Sequence, residues 1–442
     1  MKKKLSVIIA ATMTASLLVA GCGKEAEETK VEPKQETKQE VKKEEPKKEE
    51  AKPVTLNYVF WGETRQNEFF TEVNSLSEGF KKIMPNVTVD VEMIAAADYD
   101  TTMKIRNSAN ELPDVFPIRL VDMLNYKDIM VPLNDTEAAK NNKFADNFKL
   151  DGNVIGIPQI SFNEYVYYRK SVFNELGLSV PTTWDELIEV SEKIKEDGKY
   201  IPFAIGAKDS WTNYPLNEFM PTLEAGDGNY LNVMASMDEP FAKGTPFYNA
   251  YAKIDKFYKA KCNGSDPLGY GWDQQTAMFA AKEAGMMAAG QWYLSGYLEA
   301  ANNDDSDLGV FLLPTVEKKG DPIKVITMCE MFMGTPKSGE HTEEAKAFIN
   351  WFFSDYYQAY ADDAKITSTV KGIETDLGIF NQAFEGIDVD YVTSLPGNEE
   401  YARITNSIQF DVKAMGQEMI AGKDLDELMN EMNKKWKEAK NQ

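Results

Sequence analysis

The chain has 442 residues, 43 % of them hydrophobic and 27 % charged, a globular composition too long for one simple core, so two large domains are expected. Its formal charge of −23 argues against a nucleic-acid partner, whose phosphates need a basic surface. Anionic ligands are disfavoured for the same reason, outside a local basic pocket.

Residues 1–21 read as a secretory signal: Lys2, Lys3 and Lys4, then an apolar run from Leu5 to Ala20 broken by Ser6, Thr12, Thr14 and Ser16. A membrane span needs about 20 apolar residues, and this run is shorter and more polar. It ends in Leu18-Val19-Ala20-Gly21-Cys22, which resembles a bacterial lipoprotein box, cut before a Cys whose thiol takes a diacylglycerol. An ordinary signal with an incidental Cys is the alternative reading. Loss of the signal removes three lysines and leaves −26. Residues 22–53 are nearly all Glu, Lys, Gln, Thr and Pro, with too little apolar surface to offset the entropy of ordering. They are expected to be a disordered tether with a reach of roughly 30 Å.

Val54–Trp61 alternates like a strand and runs into Gly62. A helical stretch follows, with Phe69, Val73, Leu76 and Phe80 on one face and Pro85 ending it. Asn86–Ile94 alternates again, a helix starts at Asp98-Tyr99, and Leu112–Phe116 turns into a third strand. This rhythm predicts a doubly wound, mostly parallel sheet, with ligands beyond the carboxyl ends of the strands, where Trp61, Glu63 and Asp114 are expected.

Asp151–Pro158 is a Gly-punctuated apolar run, and Tyr165–Tyr168 is a second extended run ending at Arg169-Lys170. A short helix from Ser171 to Leu176 stops at Gly177. Thr183-Trp184-Asp185-Glu186 is a capping box that starts a helix with Leu187, Val190 and Ile194 on one face. These four elements resemble the "DG-x-x-x-G-x-P", "YY-x-K", short-helix and "P-x-T-W-D-E" elements of the extracellular solute-binding proteins of family 1, the maltose-binding-like lipoproteins of sugar importers. The resemblance implies a periplasmic-binding-protein-like α/β fold of type II, with two lobes and a hinge of several crossings. It covers essentially residues 54–442.

Further along, Tyr200–Gly206 reads as a strand whose loop carries Asp209-Ser210-Trp211, and residues 213–260 look mainly helical. Gln274–Lys282 is a helix, Ala284–Gly290 a small-residue strand ending at Gln291-Trp292, and Leu308–Leu313 another strand. The layout up to Trp292 resembles the family segment whose Trp stacks on a sugar ring. Lys324–Gly334 reads as a long strand returning to the first lobe, followed by a helix from Thr342 to Tyr360. The last helices span Glu399–Gly422 and Asp424–Glu438. The lobes are then 54–162 with 330–372, and 163–329 with 373–442.

Sugars offer an apolar C–H face and a rim of hydroxyls, so flat aromatics and charged or amide groups are the candidates. Trp61, Trp211, Trp272 and Trp292 are expected to stack, and Glu63, Asp114, Glu164 and Glu330 to bind hydroxyls. Each tryptophan also fits a core position, and each carboxylate a solvated surface. Asn163, Tyr165, Gln291 and Lys371 are second choices. The only histidine is His341, so no Ser-His-Asp set is available, no metal or cofactor is expected, and an enzyme is disfavoured. The rival class is an exported polysaccharide-degrading enzyme using paired carboxylates. Cys262 and Cys329 are expected to be free thiols. The resemblance implies a monomeric, membrane-anchored receptor that closes over a carbohydrate (or another polar solute) and hands it to the permease subunits of an ABC importer.

Overall fold

The alternation in Val54–Trp61 makes strand β1, with Leu56, Tyr58 and Phe60 fully buried on one face. The computed structural model describes residues 52–62 and 64–442. The signal segment, Cys22, the tether up to residue 51, and Glu63 lie outside the described residues. Strand β2 (Val87–Ile94) runs parallel to β1 in register from Val54 opposite Val87 to Trp61 opposite Ile94. The helical stretch between them contains a π-turn at Phe69–Val73. That turn shifts the buried face, so Phe70 and Phe80 are fully buried while Val73, expected beside them, is exposed.

Strand β3 (Phe116–Ile118) follows, and the next six are β4 (Ile157–Arg169), β5 (Ile201–Ala204), β6 (Ala284–Gly290), β7 (Leu308–Leu312), β8 (Ile323–Gly334) and β9 (Val389–Thr393). The two-lobed α/β architecture is present, but its sheets are mixed rather than mostly parallel. β1 with β2, β5 with β6, and β8 with β9 are parallel, and Tyr58 bridges Val115 in parallel. β4 is antiparallel to β6, β7 and β8, and β3 is antiparallel to β8. The reason is that β4 and β8 are shared. The first half of β4 (Ile157–Asn163) pairs with β8, and its second half pairs with β6 and β7, changing partners between Asn163 and Glu164. The chain passes this region again at Thr367, whose N–H donates to Ser161.

The capping box forms. Thr183 accepts from the Glu186 N–H at 3.2 Å, while the Glu186 carboxylate accepts from Thr182, one residue earlier than expected. Gly177 takes the left-handed conformation (φ +62°) after the short helix Lys170–Glu175. The stretch expected as one helix from Glu399 to Gly422 is two, Glu399–Ile408 and Val412–Ile420. Gln409 is left-handed and the Asp411 carboxylate accepts from Lys413 and Ala414, so a new helix starts there.

One core gathers Tyr58, Phe60, Phe70, Phe348, Phe352 and Tyr360; another gathers Trp184, Ile194, Tyr251, Phe257 and Trp436. A third apolar cluster joins Val59, Tyr99 and Phe116 to Phe219 and Leu223. Trp61, Tyr214 and Trp292 border it, which puts the ends of β1 and β6 against one shared cluster. Cys262 and Cys329 are buried and free.

Candidate ligand-binding site

Three of the four candidate tryptophans meet. Trp211 sits in a turn (Ser210–Asn213) after β5, Trp272 opens the helix Trp272–Ala280, and Trp292 follows the end of β6. Their ring centroids are 4.8 Å apart for Trp211 and Trp272, 5.4 Å for Trp272 and Trp292, and 6.3 Å for Trp211 and Trp292. Trp211 is 38 % exposed and the other two are partly buried, so the cluster forms a wall open along Trp211.

Neighbouring residues fix the wall. Asp209 accepts the Trp272 main-chain N–H at 2.8 Å, tying the loop of Trp211 to the start of the Trp272 helix. A Cβ on Gly271 would lie 2.2 Å from that carboxylate, so the glycine is what lets the two loops close. Tyr214 lies parallel to Trp211 at 6.3 Å, and Tyr293 meets Trp272 edge-on at 5.4 Å.

Glu164, expected to bind hydroxyls, is buried instead. It pairs with Gly290 across β4 and β6, and both its oxygens accept from the Tyr214 hydroxyl at 2.9 Å. Burial beside Pro215, Phe219, Leu223 and Ile326 pushes its carboxyl well above the usual range, against the lowering effect of the Tyr214 bond. It therefore touches the tryptophan wall through Tyr214 and offers solvent almost nothing.

Trp61 ends β1 partly buried, with Tyr99 tilted against it at 4.8 Å and the Arg119 guanidinium 4.5 Å over its ring. One ring face is thus already covered. Arg119, just past the carboxyl end of β3, donates to Asp100 at 2.7 Å and to the Ala96 carbonyl at 3.0 Å. Glu330, on β8, lies in the field of Arg119 and Asp100 and is partly buried; burial pushes its carboxyl up to about 7, against the Met331 N–H and the Arg119 charge. Asp114 corrects the expectation. It precedes β3, at the amino end, and accepts from the Asn57 main-chain N–H at 2.9 Å and side chain at 3.3 Å. Asn57 is four residues before Trp61, about 13 Å along the strand, so Asp114 fastens the sheet rather than facing the strand ends.

The second choices are buried or engaged by neighbouring groups. Gln291 is buried, accepts from the Asn163 N–H at 3.1 Å and donates to the Lys365 carbonyl at 3.3 Å, while Thr327 donates to Asn163. Tyr165 is fully buried, and Lys371 is exposed with its ammonium on the Lys140 carbonyl. Arg119, Asp209 and Tyr214 were not singled out from sequence. The Gly271-Trp272 pair just before a predicted helix was the available signal for the Asp209 contact; nothing local marked Tyr214 or Arg119. Among the described residues, no three His, Cys, Asp or Glu side chains converge as metal ligands.

Three adjoining aromatic rings, tilted 44–48° to one another, beside hydrogen-bonding groups suit a ligand with an apolar face and a polar rim. Similar proteins have names in keeping with that chemistry. The "Multiple sugar-binding protein" of Streptococcus mutans is 25 % identical over 332 residues, covering 70 % of this chain and 76 % of that one. A binding protein of an ABC transporter from Bifidobacterium animalis subsp. lactis, solved with mannobiose, superposes with a TM-score of 0.73 at 20 % identity, over 88 % of this chain and 95 % of that one. The solute-binding protein RafE with raffinose gives a TM-score of 0.69 at 21 % identity, over 88 % of this chain and all of that one. Residues 62–359 match the bacterial extracellular solute-binding protein family. With two-thirds of its length so matched, the chain belongs to that family.

Proposed function

We propose that this chain is the lipid-anchored receptor of an ABC importer, which captures a mono- or oligosaccharide between its lobes and delivers it to membrane permeases. The observation that carries the reading is the contiguous wall of Trp211, Trp272 and Trp292, whose faces match the C–H face of a pyranose. Arg119, Asp100 and Glu330 supply charged hydrogen-bonding groups on the facing lobe, and Trp61 packs beneath Arg119. Glu63 is kept as a hydroxyl ligand because it follows Trp61 at the end of β1. The lobes divide as 54–162 with 330–372 and 163–329 with 373–442, so that closure moves each as a body about β4 and β8. Cys22 carries the lipid, the chain acts as a monomer outside the cytoplasmic membrane, and it transforms nothing that it binds.

Thermal melts of the purified protein against raffinose, stachyose, mannobiose, mannotriose and monosaccharides test the ligand class. At about 1,000 times Kd a true ligand adds roughly 4 kcal/mol of stability, a shift of several degrees. No shift with any saccharide, beside one with another solute class, would sink the carbohydrate reading. Incorporation of labelled palmitate that persists in Cys22→Ser would sink the anchor.

A further inference from the structure

Glu164 is a buried carboxylate at the point where β4 changes sheets, a costly place for an ionisable group. Its surroundings explain why it sits there. The Tyr214 hydroxyl donates to both its oxygens, and the Trp292 indole stands close over Gly290, the residue opposite Glu164 on β6. The contacts therefore run from Glu164 through Tyr214 to Trp211, whose ring the Tyr214 ring parallels, while Trp292 packs over Gly290 beside them. Gly290 completes the arrangement. A Cβ there would lie 2.4 Å from the Trp292 indole nitrogen and 2.6 Å from its neighbouring ring carbon, and 3.1 Å from a Glu164 oxygen. No side chain larger than hydrogen leaves room for this indole over the strand end. Glu218 and Lys324 are the charged neighbours of the cluster. Glu218 acts on Glu164 through its charge alone, and the Lys324 ammonium is engaged by the Glu224 carbonyl.

We infer that Glu164, Tyr214 and Gly290 are positioning residues that set the orientation of the tryptophan wall, and that Glu164 does not bind the ligand itself. The inference rests on the wall being the ligand platform, but its first readout does not. In ligand-free protein, Trp184 and Trp436 are fully buried and Trp351 nearly so, so iodide quenching of tryptophan fluorescence reports mainly on the wall and Trp61.

The variants are Tyr214→Phe, which removes one oxygen and keeps the ring, Gly290→Ala, and Glu164→Ala compared with Glu164→Gln. The expected result is a changed quenching constant and emission maximum in Tyr214→Phe, Gly290→Ala and Glu164→Ala, together with at least tenfold weaker binding of the saccharide that shifts the wild-type melt. Glu164→Gln, whose amide oxygen still accepts from Tyr214, recovers most of both losses. Unchanged quenching in Tyr214→Phe and Gly290→Ala overturns the inference. So does Glu164→Gln losing as much affinity as Glu164→Ala while Tyr214→Phe binds normally, which would make Glu164 a direct ligand contact. If no saccharide shifts the wild-type melt, the carbohydrate reading fails while the quenching comparison still decides the positioning.

Discussion

Trp211→Ala is the sharpest test of the wall, because Trp211 is its most open member and contributes least to the fold. With 38 % of the residue exposed, a Trp of roughly 250 Å² presents about 95 Å² to a ligand. At about 25 cal/mol per Å², covering that area stabilises the complex by about 2.4 kcal/mol, or roughly 50-fold in Kd. The rest of the ring packs against Trp272, Trp292 and Tyr214, and at the same coefficient the roughly 155 Å² so covered is worth up to about 4 kcal/mol of stability. Trp211→Ala is therefore expected to lower the melting temperature by roughly ten degrees and still to be folded at the titration temperature. Isothermal titration with the saccharide identified by thermal shift, on wild type and variant, gives the ratio. A folded variant with Kd within threefold of wild type would refute the platform, because a ring the ligand does not cover costs no affinity when removed.

Glu330 makes stability depend on pH in a direction opposite to an ordinary carboxylate. Its folded value near 7, against 4.5 ordinarily, means the native state holds a proton that the unfolded chain releases. Stability therefore falls as pH rises from about 4.5 to 7, by about 3 kcal/mol in total; urea melts at pH 5 and pH 8 should show that Glu330→Gln removes this part of the slope. Asp307 behaves the other way: burial raises its carboxyl, but Lys282, Ser171 and Arg169 together hold it at about 2, with Arg169 at 2.7 Å. Asp307→Asn should lose about 3–5 kcal/mol at neutral pH, leaving a buried guanidinium short of its partner. The wild-type advantage, present above about pH 4, should shrink as pH falls toward 2. Burial pushes the Cys262 thiol up to about 12 and raises Cys329 as well. At pH 8 a thiol reagent should modify neither in the folded protein and both in guanidinium; rapid labelling without denaturant would contradict the burial.

Local chemistry was legible residue by residue. The alternation of Val54–Trp61, the Thr183 cap and the Gly177 stop act within a turn or a strand, so near neighbours decide them. Trp211, Trp272 and Trp292 were legible as candidates because each stands beside a strand end or a Gly-bearing turn, where a large aromatic has no local reason to be. Their convergence was not legible: it joins residues 61 and 81 positions apart, and only the pairing of β5 with β6 brings their loops together. The roles of the acids were decided by tertiary structure alone. Glu164 and Asp114 look alike in sequence, as single carboxylates near strands. Yet one is enclosed by a tyrosine 50 residues away and the other by an asparagine 57 residues away. A carboxylate's role depends on what surrounds it, through desolvation and hydrogen bonding, and those surroundings exist only once distant segments have packed.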